Sequence, residues 1–403
     1  MPAGHPDTVT RIERAETFEA DGGWQRLSFL KLAASDGTVG WSEFNEAFAA
    51  GLGSVVRALA ATALGRDARL AQRVADDLHA RGRPVAGGLH AQGAAAVENA
   101  CLDLKARALG VPVHELFGGA RRDEIPAYAS HCGLYRIRRP DLFEPRGLRV
   151  PHSLDDMRLL AAELRAAGFG ALKTNLLAFD AGGSARVHMP GFARSPGHPA
   201  LHVDAGVVDA AVALVDALRD GAPGAGVMLD LNFNARPEGA RRLADALGGR
   251  LEWLEVDGLD PQDLAALRER ARSPIASLEA VYGAPALLPY LRARAVDVAI
   301  VDPMWNGFSE SVRMAALADA HHANVASHLF SGALATAMGA HFCAAIPNLR
   351  VMEVDADRAP ALAGVFEREV EIRAGHARVP DGPGWGVVPD ERRLVRTGDS
   401  ASA

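Results

Sequence analysis

Residues 226–279 read GVMLDLNFNARPEGARRLADALGGRLEWLEVDGLDPQDLAALRERARSPIASLE. Three short apolar runs close on a carboxylate, at Asp230, Glu255 and Glu279. Between them lie EGARRLADALGG and DLAALRERA, with apolar residues at helical spacing. Strands alternating with helices imply a parallel sheet with its helices outside. The rhythm continues in both directions. Upstream, IPAYAS (125–130) precedes SLDDMRLLAAELRAAG, and GALKTNLL (170–177) precedes, after a long loop, VVDAAVALVDALRDG. Downstream come VDVAIVD (296–302), ANVASH (323–328) and LRVMEVD (349–355). These are eight strand candidates between 125 and 355, and eight βα units close into a barrel.

In such a barrel the C-terminal ends of the strands share one mouth. Lys173 and Asn175 end the second strand, Asp230 and Asn232 the third, Glu255 the fourth and Glu279 the fifth. Asp302, His328 and Glu353 end the sixth, seventh and eighth. Asp230, Glu255 and Glu279 stand on neighbouring strands and converge. Three unpaired anions at one point are costly unless a cation sits among them, and hard oxygen donors favour Mg²⁺. A carboxylate beside a histidine orients the ring and raises its basicity, so Asp302 and His328 read as a general base. Lys173, across the mouth, reads as the holder of a substrate carboxylate, or as a base if its pKa is lowered. Ser130, His131, Tyr135 and Arg136, after the first strand, read as contacts to substrate hydroxyls and carboxylate, with an ordinary polar loop as the alternative.

The flanks differ from the barrel. Leu27 to Ala34, a tight turn at Asp36-Gly37 and Thr38 to Glu43 predict a hairpin. Leu52 to Arg81 is alanine-rich and helical with a stop at Gly65, and a second helix is predicted from about Gln92 to Leu109. After Glu367 short strand-like pieces and Pro/Gly turns predict a return onto the N-terminal segment. The expected division is a capping domain over 1–124, a barrel over 125–355 and a returning segment over 356–403. The stretch 181–206 holds His188, His198 and His202 among Gly, Pro and Ser. It reads as a lid-like insertion, with a metal site as the alternative.

Composition narrows the class. The 403 residues carry a net charge of -7 with both signs interspersed, so no basic surface for nucleic acid is expected. No apolar run is long enough to span a bilayer, and the N-terminus has no apolar core of a secretion signal. Three isolated cysteines, Cys101, Cys132 and Cys343, suit a reducing cytoplasm.

With these residues in place the chain resembles the enolase superfamily, within it the mandelate racemase / muconate lactonizing enzyme group. AVENACLDLKARALGVPVHELFGG resembles that family's junction between cap and barrel, and SDGTVGWSEF its N-terminal hairpin. LDLN, WLEVD and SLEAVYG resemble its metal-bearing strand ends. VDPMWNG and SHLFSG resemble the ends bearing its Asp–His pair, and DGPGWGV its C-terminal return. The resemblance implies a modified TIM barrel of the (β/α)7β type, under an α+β cap formed by the N-terminal segment and the C-terminal tail. It implies Mg²⁺ on Asp230, Glu255 and Glu279, a substrate carboxylate held by the metal and Lys173, and α-proton exchange at His328 assisted by Asp302 through an enediolate. Glu353 resembles the family's carboxylic acid near the substrate carboxylate, a donor to that enediolate if it is held protonated, and Asn232 is expected to contact the metal or the substrate. Gly22 to Trp24 and Phe44 to Glu46 are expected to close over the mouth and set specificity. A homo-oligomer is expected.

Three positions depart from the family pattern. Many relatives carry Lys-x-Lys at the second strand end, where this chain has Lys173 and Asn175. The usual Gly before the third metal ligand is Leu278, and the usual Pro is missing from LEVDGLDP. With Asn175 in place of a second base, proton transfer between two faces is disfavoured. The expected reaction is dehydration of a sugar acid to a 2-keto-3-deoxy acid, with an epimerase, racemase or lactone cycloisomerase as the alternative. A non-catalytic carboxylate-binding protein on the same scaffold is the remote one.

Overall fold

The structure is a computed structural model, which describes residues 10–402 apart from 24, 48, 181, 193–199 and 358–363. It begins with three antiparallel strands, β1 (Ile12–Asp21), β2 (Arg26–Ala34) and β3 (Val39–Phe44). Helices α1 (Leu52–Ala63), α2 (Ala71–Arg81) and α3 (Gly88–Leu109) follow. Helix α3 is buried almost all round from Ala91 to Leu104. It lies tight against β3. A side chain at Gly40 would run into the Ala100 carbonyl, so only glycine permits this approach.

The barrel starts at β4 (Glu124–Ser130), followed by α4 (Leu134–Arg138), α5 (Pro140–Phe143) and α6 (Leu154–Ala166). Then come β5 (Ala171–Asn175), a hairpin of β6 (Leu177–Phe179) and β7 (Ala185–Val187), and α7 (Ala205–Gly221). The units β8 (Gly226–Asp230), α8 (Pro237–Leu247), β9 (Trp253–Glu255), α9 (Pro261–Arg270), β10 (Ile275–Ser277) and α10 (Ala284–Arg292) follow. The series ends with β11 (Val298–Val301), α11 (Pro303–Asn306), α12 (Phe308–Ala320), β12 (Asn324–Ser327), α13 (Ala333–Ala345) and β13 (Leu349–Asp355). All eight barrel strands pair in parallel, and β13 closes the ring on β4. This is the expected modified TIM barrel, with seven main helices between eight strands.

Inside the ring Tyr128, Met228 and Trp253 fill one side, and Ala276 and Ala326 leave room for them on the other. This packed layer is the floor of the mouth.

The tail does two things, not one. After β14 (Ile372–Arg373), β15 (His376–Arg378) pairs antiparallel with Glu124–Pro126, the stretch of β4 below the ring. That stretch protrudes past the neighbouring barrel strands, and the hairpin takes up its free backbone groups. Beyond it, β16 (Val395–Ser402) joins the cap sheet beside β1. Thus the tail extends the barrel sheet as well as returning to the cap. The 181–206 insertion is also less loop-like than expected, since β6 and β7 lie in it or border it. Among the described residues His188 and His202 join no group of metal-ligand geometry, and His198 lies outside the described residues. No helix among the described residues is long and apolar enough to cross a membrane.

Candidate active site

Strand register assembles the mouth. Asn175 pairs with Asp230, and Asp230 with Glu255, so three polar strand ends stand side by side. Lys173, two residues before Asn175 on the same face, reaches into the middle of them. Its Nζ lies 3.1 Å from both Glu255 carboxylate oxygens, 3.0 Å from Glu353 and 3.6 Å from Asp230. It also stands 5.4 Å above the Tyr128 ring. Burial alone would lower the lysine pKa, but Glu255, Glu353 and Asp230 carry it well above its ordinary value. These carboxylates favour the charged form of Lys173.

Glu353 sits among donors. It accepts from Ser130 Oγ at 2.5 Å and from the Leu329 amide at 2.7 Å, besides its pair with Lys173. Burial works against its charge, yet Lys173, His328, His131 and Ser130 outweigh it and bring its pKa down to about 2. Every neighbour within reach donates to it, which favours its ionised form over the protonated form that donation would need.

On the other side, His328 Nδ1 is 2.7 Å from Asp302 Oδ2. Asp302 is itself held as the cap of α11, accepting from the Met304 amide at 2.7 Å and the Trp305 amide at 3.1 Å. The second ring nitrogen, Nε2, is 3.3 Å from Glu279. Burial opposes charge on the ring, but Glu279 and Asp302 together raise its pKa to about 10.

The acidic strand ends do not converge quite as predicted. Asp230 and Glu255 are brought together with Asp257, one oxygen of each within 4.8 Å of the others. Glu279 instead faces His328. Burial, and then the mutual repulsion of these acids, pushes Glu255 to about 7, Asp257 to about 6 and Glu279 well above the usual carboxylate range. Buried oxygen donors with excess negative charge suit a hard divalent cation. One of them, Asp257 Oδ2, is buried without a partner. The residues thus fit Mg²⁺. Asp257 escaped the sequence reading, which took one acid per strand end. The signal was the alternation Trp253, Glu255, Asp257, which puts all three on one side of the chain.

The remaining residues divide. Asn232, in a left-handed conformation (φ 48°), donates to Asp230 and accepts from Asn175 at 2.8 Å, so both asparagines brace the acids. His131 (φ 55°) is buried, its ring 5.0 Å from Tyr135 and 4.9 Å from Phe330, and burial lowers its pKa to about 3. Arg136 is not at the mouth. Its guanidinium is 2.7 Å from Asp357 and 3.0 Å from Glu163 on α6. Consecutive helical residues point about 100° apart, so with Tyr135 turned to His131 its neighbour faces the outer helix. The cap meets the mouth at the segment after His328. Asn45 donates to the Phe330 carbonyl at 3.0 Å, and Glu43 accepts from the Gly332 and Ala335 amides at 2.5 and 3.0 Å. Arg139 binds the Gly23 carbonyl; Trp24 lies outside the described residues.

Comparison with known proteins agrees with this architecture. Residues 156–393 match the family "Enolase C-terminal domain-like", and residues 18–118 match "Mandelate racemase / muconate lactonizing enzyme, N-terminal domain". D-galactarolactone cycloisomerase of Agrobacterium fabrum is 27% identical over 89% of this chain and 87% of its own length. D-galactonate dehydratase of Ralstonia nicotianae is 27% identical over 97% and 95%. A crystal structure from Burkholderia xenovorans, of a protein provisionally named an L-alanine-DL-glutamate epimerase and bound to magnesium and fumarate, is 41% identical. It superposes with a TM-score of 0.91 over 96% of this chain and 95% of its own. The chain belongs to the mandelate racemase / muconate lactonizing enzyme group of the enolase superfamily.

Proposed function

We propose that this enzyme is an Mg²⁺-dependent acid sugar dehydratase, a cytoplasmic homo-oligomer that converts a sugar acid to a 2-keto-3-deoxy acid. The observation that carries the reading is the one-sidedness of the groups able to move a proton. His328, backed by Asp302 at 2.7 Å, stands on one side of the mouth. Across from it Lys173 is locked by ion pairs among Glu255, Glu353 and Asp230. Asn175, where relatives carry a second lysine, cannot accept one. A 1,1-proton transfer needs a group on each face, whereas elimination needs one group used twice.

His328 takes the proton from C2, alpha to the carboxylate. The ring becomes the base once Glu279 is no longer its counter-ion. It then returns the proton to the C3 hydroxyl, the C–O bond breaks, water leaves, and the enol becomes the 2-keto acid. Asp302 fixes the ring tautomer by taking Nδ1–H. Lys173 supplies a positive charge against the substrate carboxylate, and Glu353 holds that lysine in place. Asp230, Glu255 and Glu279 would hold Mg²⁺, which when bound supplies charge against the developing enediolate. The names of the relatives support the substrate class.

Turnover of an acid sugar panel by purified protein with Mg²⁺, read as 2-keto product, tests the reading. Product from one or a few acids, lost on adding EDTA, is the expected result. EDTA-insensitive turnover would overturn the metal role. Lactone opening without keto product would favour the second reading, cycloisomerisation, which also needs one base and is the activity named for the A. fabrum relative.

A further inference from the structure

We propose that Asp257 is a fourth carboxylate of the cation site, which also holds the turn that aims Glu279. This rests on the reading that Asp230, Glu255 and Glu279 hold a divalent cation. Asp257 lies two residues past Glu255, so both side chains leave the chain on the mouth side. Its amide donates to the Asn232 carbonyl at 3.0 Å, which ties it to the turn that braces Asp230.

The two oxygens of Asp257 do different things. Oδ1 accepts from Ser277 Oγ at 3.0 Å and from the Leu278 amide at 2.9 Å. Leu278 has φ 96°, a conformation that side chains rarely adopt, and it immediately precedes Glu279. The family pattern has glycine where this chain has Leu278. The aspartate holds by hydrogen bonds a turn that glycine would adopt freely. Oδ2, by contrast, is buried and has no partner, in a residue only 3% exposed. A bare carboxylate oxygen in such a place is costly, and one oxygen of the same carboxylate lies within 4.8 Å of ligand atoms of Asp230 and Glu255. A divalent cation shared with them satisfies it.

The two roles separate by mutation. Asp257→Asn keeps an oxygen for Ser277 and Leu278 and removes the charge. Asp257→Ala removes both, and adding Leu278→Gly relieves the turn. The full-length protein, stripped with chelator, is titrated with MgCl₂ by calorimetry, with melting curves as a control of folding. Asp257→Asn should bind Mg²⁺ roughly 10- to 100-fold more weakly, the range for groups that support a metal site. Asp257→Ala should be weaker still, and Leu278→Gly should restore part of that extra loss. Unchanged affinity in a folded Asp257→Asn protein overturns the proposal. So does unchanged affinity in the folded double variant if the single variants do not fold. If the unaltered protein binds no Mg²⁺, the reading of the whole centre fails, and this inference with it.

Discussion

His328, the proposed base, shows how little of such a group is its own identity. Its ring is set by Asp302, which is set by two backbone amides at the start of α11. Replacing the ring by an amide of similar size leaves those contacts largely in place and removes the proton carrier. His328→Asn should keep its melting temperature and lose at least about 10² to 10⁴ in kcat, the usual worth of a general acid–base group. Activity near that of the unaltered protein would place the base elsewhere. Strand periodicity exposed which residues end each strand, so Asp230, Glu255, Asp302, His328 and Lys173 were legible in the sequence. What a side chain meets beyond the strand end is set by neighbours far away in the chain. Hence the ionised state of Glu353, the turn of Glu279 onto His328 and the outward course of Arg136 were not legible, nor was Asp257.

At the scale of elements, one carboxylate in α3 fastens the cap. Asp103, fully buried, accepts from the Trp41 amide of β3 and the Trp385 amide of the tail, each at 2.8 Å, and pairs with Arg107 at 2.8 Å. Trp385 Nε1 in turn donates to the Trp41 carbonyl at 3.0 Å. Three segments distant in sequence thus meet on one side chain. Asp103→Ala leaves two buried amides and an arginine unpaired, a loss of roughly 3 kcal/mol by the cost of breaking a buried pair. Urea unfolding followed by tryptophan fluorescence measures it. A loss below about 0.5 kcal/mol, the scale of ordinary surface changes, would mean that the three segments are held by packing alone. Turn residues and Pro/Gly clusters in the sequence announced the tail's return, but not the pairing of β15 with β4. That pairing depends on where β4 outruns its neighbours, which no local pattern records.

Across the whole molecule, cap and barrel also meet through two buried histidines. His341 on α13 has Nε2 3.1 Å from the Trp385 carbonyl, so that nitrogen carries the proton, and its bare Nδ1 accepts from His114 Nδ1 at 2.7 Å. Burial, with His114 beside it, lowers the His341 pKa to about 3. The folded protein therefore refuses a proton that the unfolded chain accepts below about 6.5. Stability from this group is complete above that pH and is lost as pH falls toward 3, at up to about 1.4 kcal/mol per pH unit. His341→Gln should flatten the dependence of the urea midpoint on pH between 7 and 5. Parallel curves for the two proteins would contradict this.

The barrel and its cap follow from patterns that repeat along the chain, and the proposed direction of the chemistry rests on the asymmetry of its mouth. Incubation of an accepted acid sugar with enzyme and Mg²⁺ in D₂O, followed by proton NMR, tests that asymmetry most directly. One-sided chemistry predicts a 2-keto-3-deoxy product carrying solvent deuterium at C3, with no C2 epimer of the substrate at any time. Accumulation of the deuterated C2 epimer would show a second proton-transferring group on the opposite face and contradict the account.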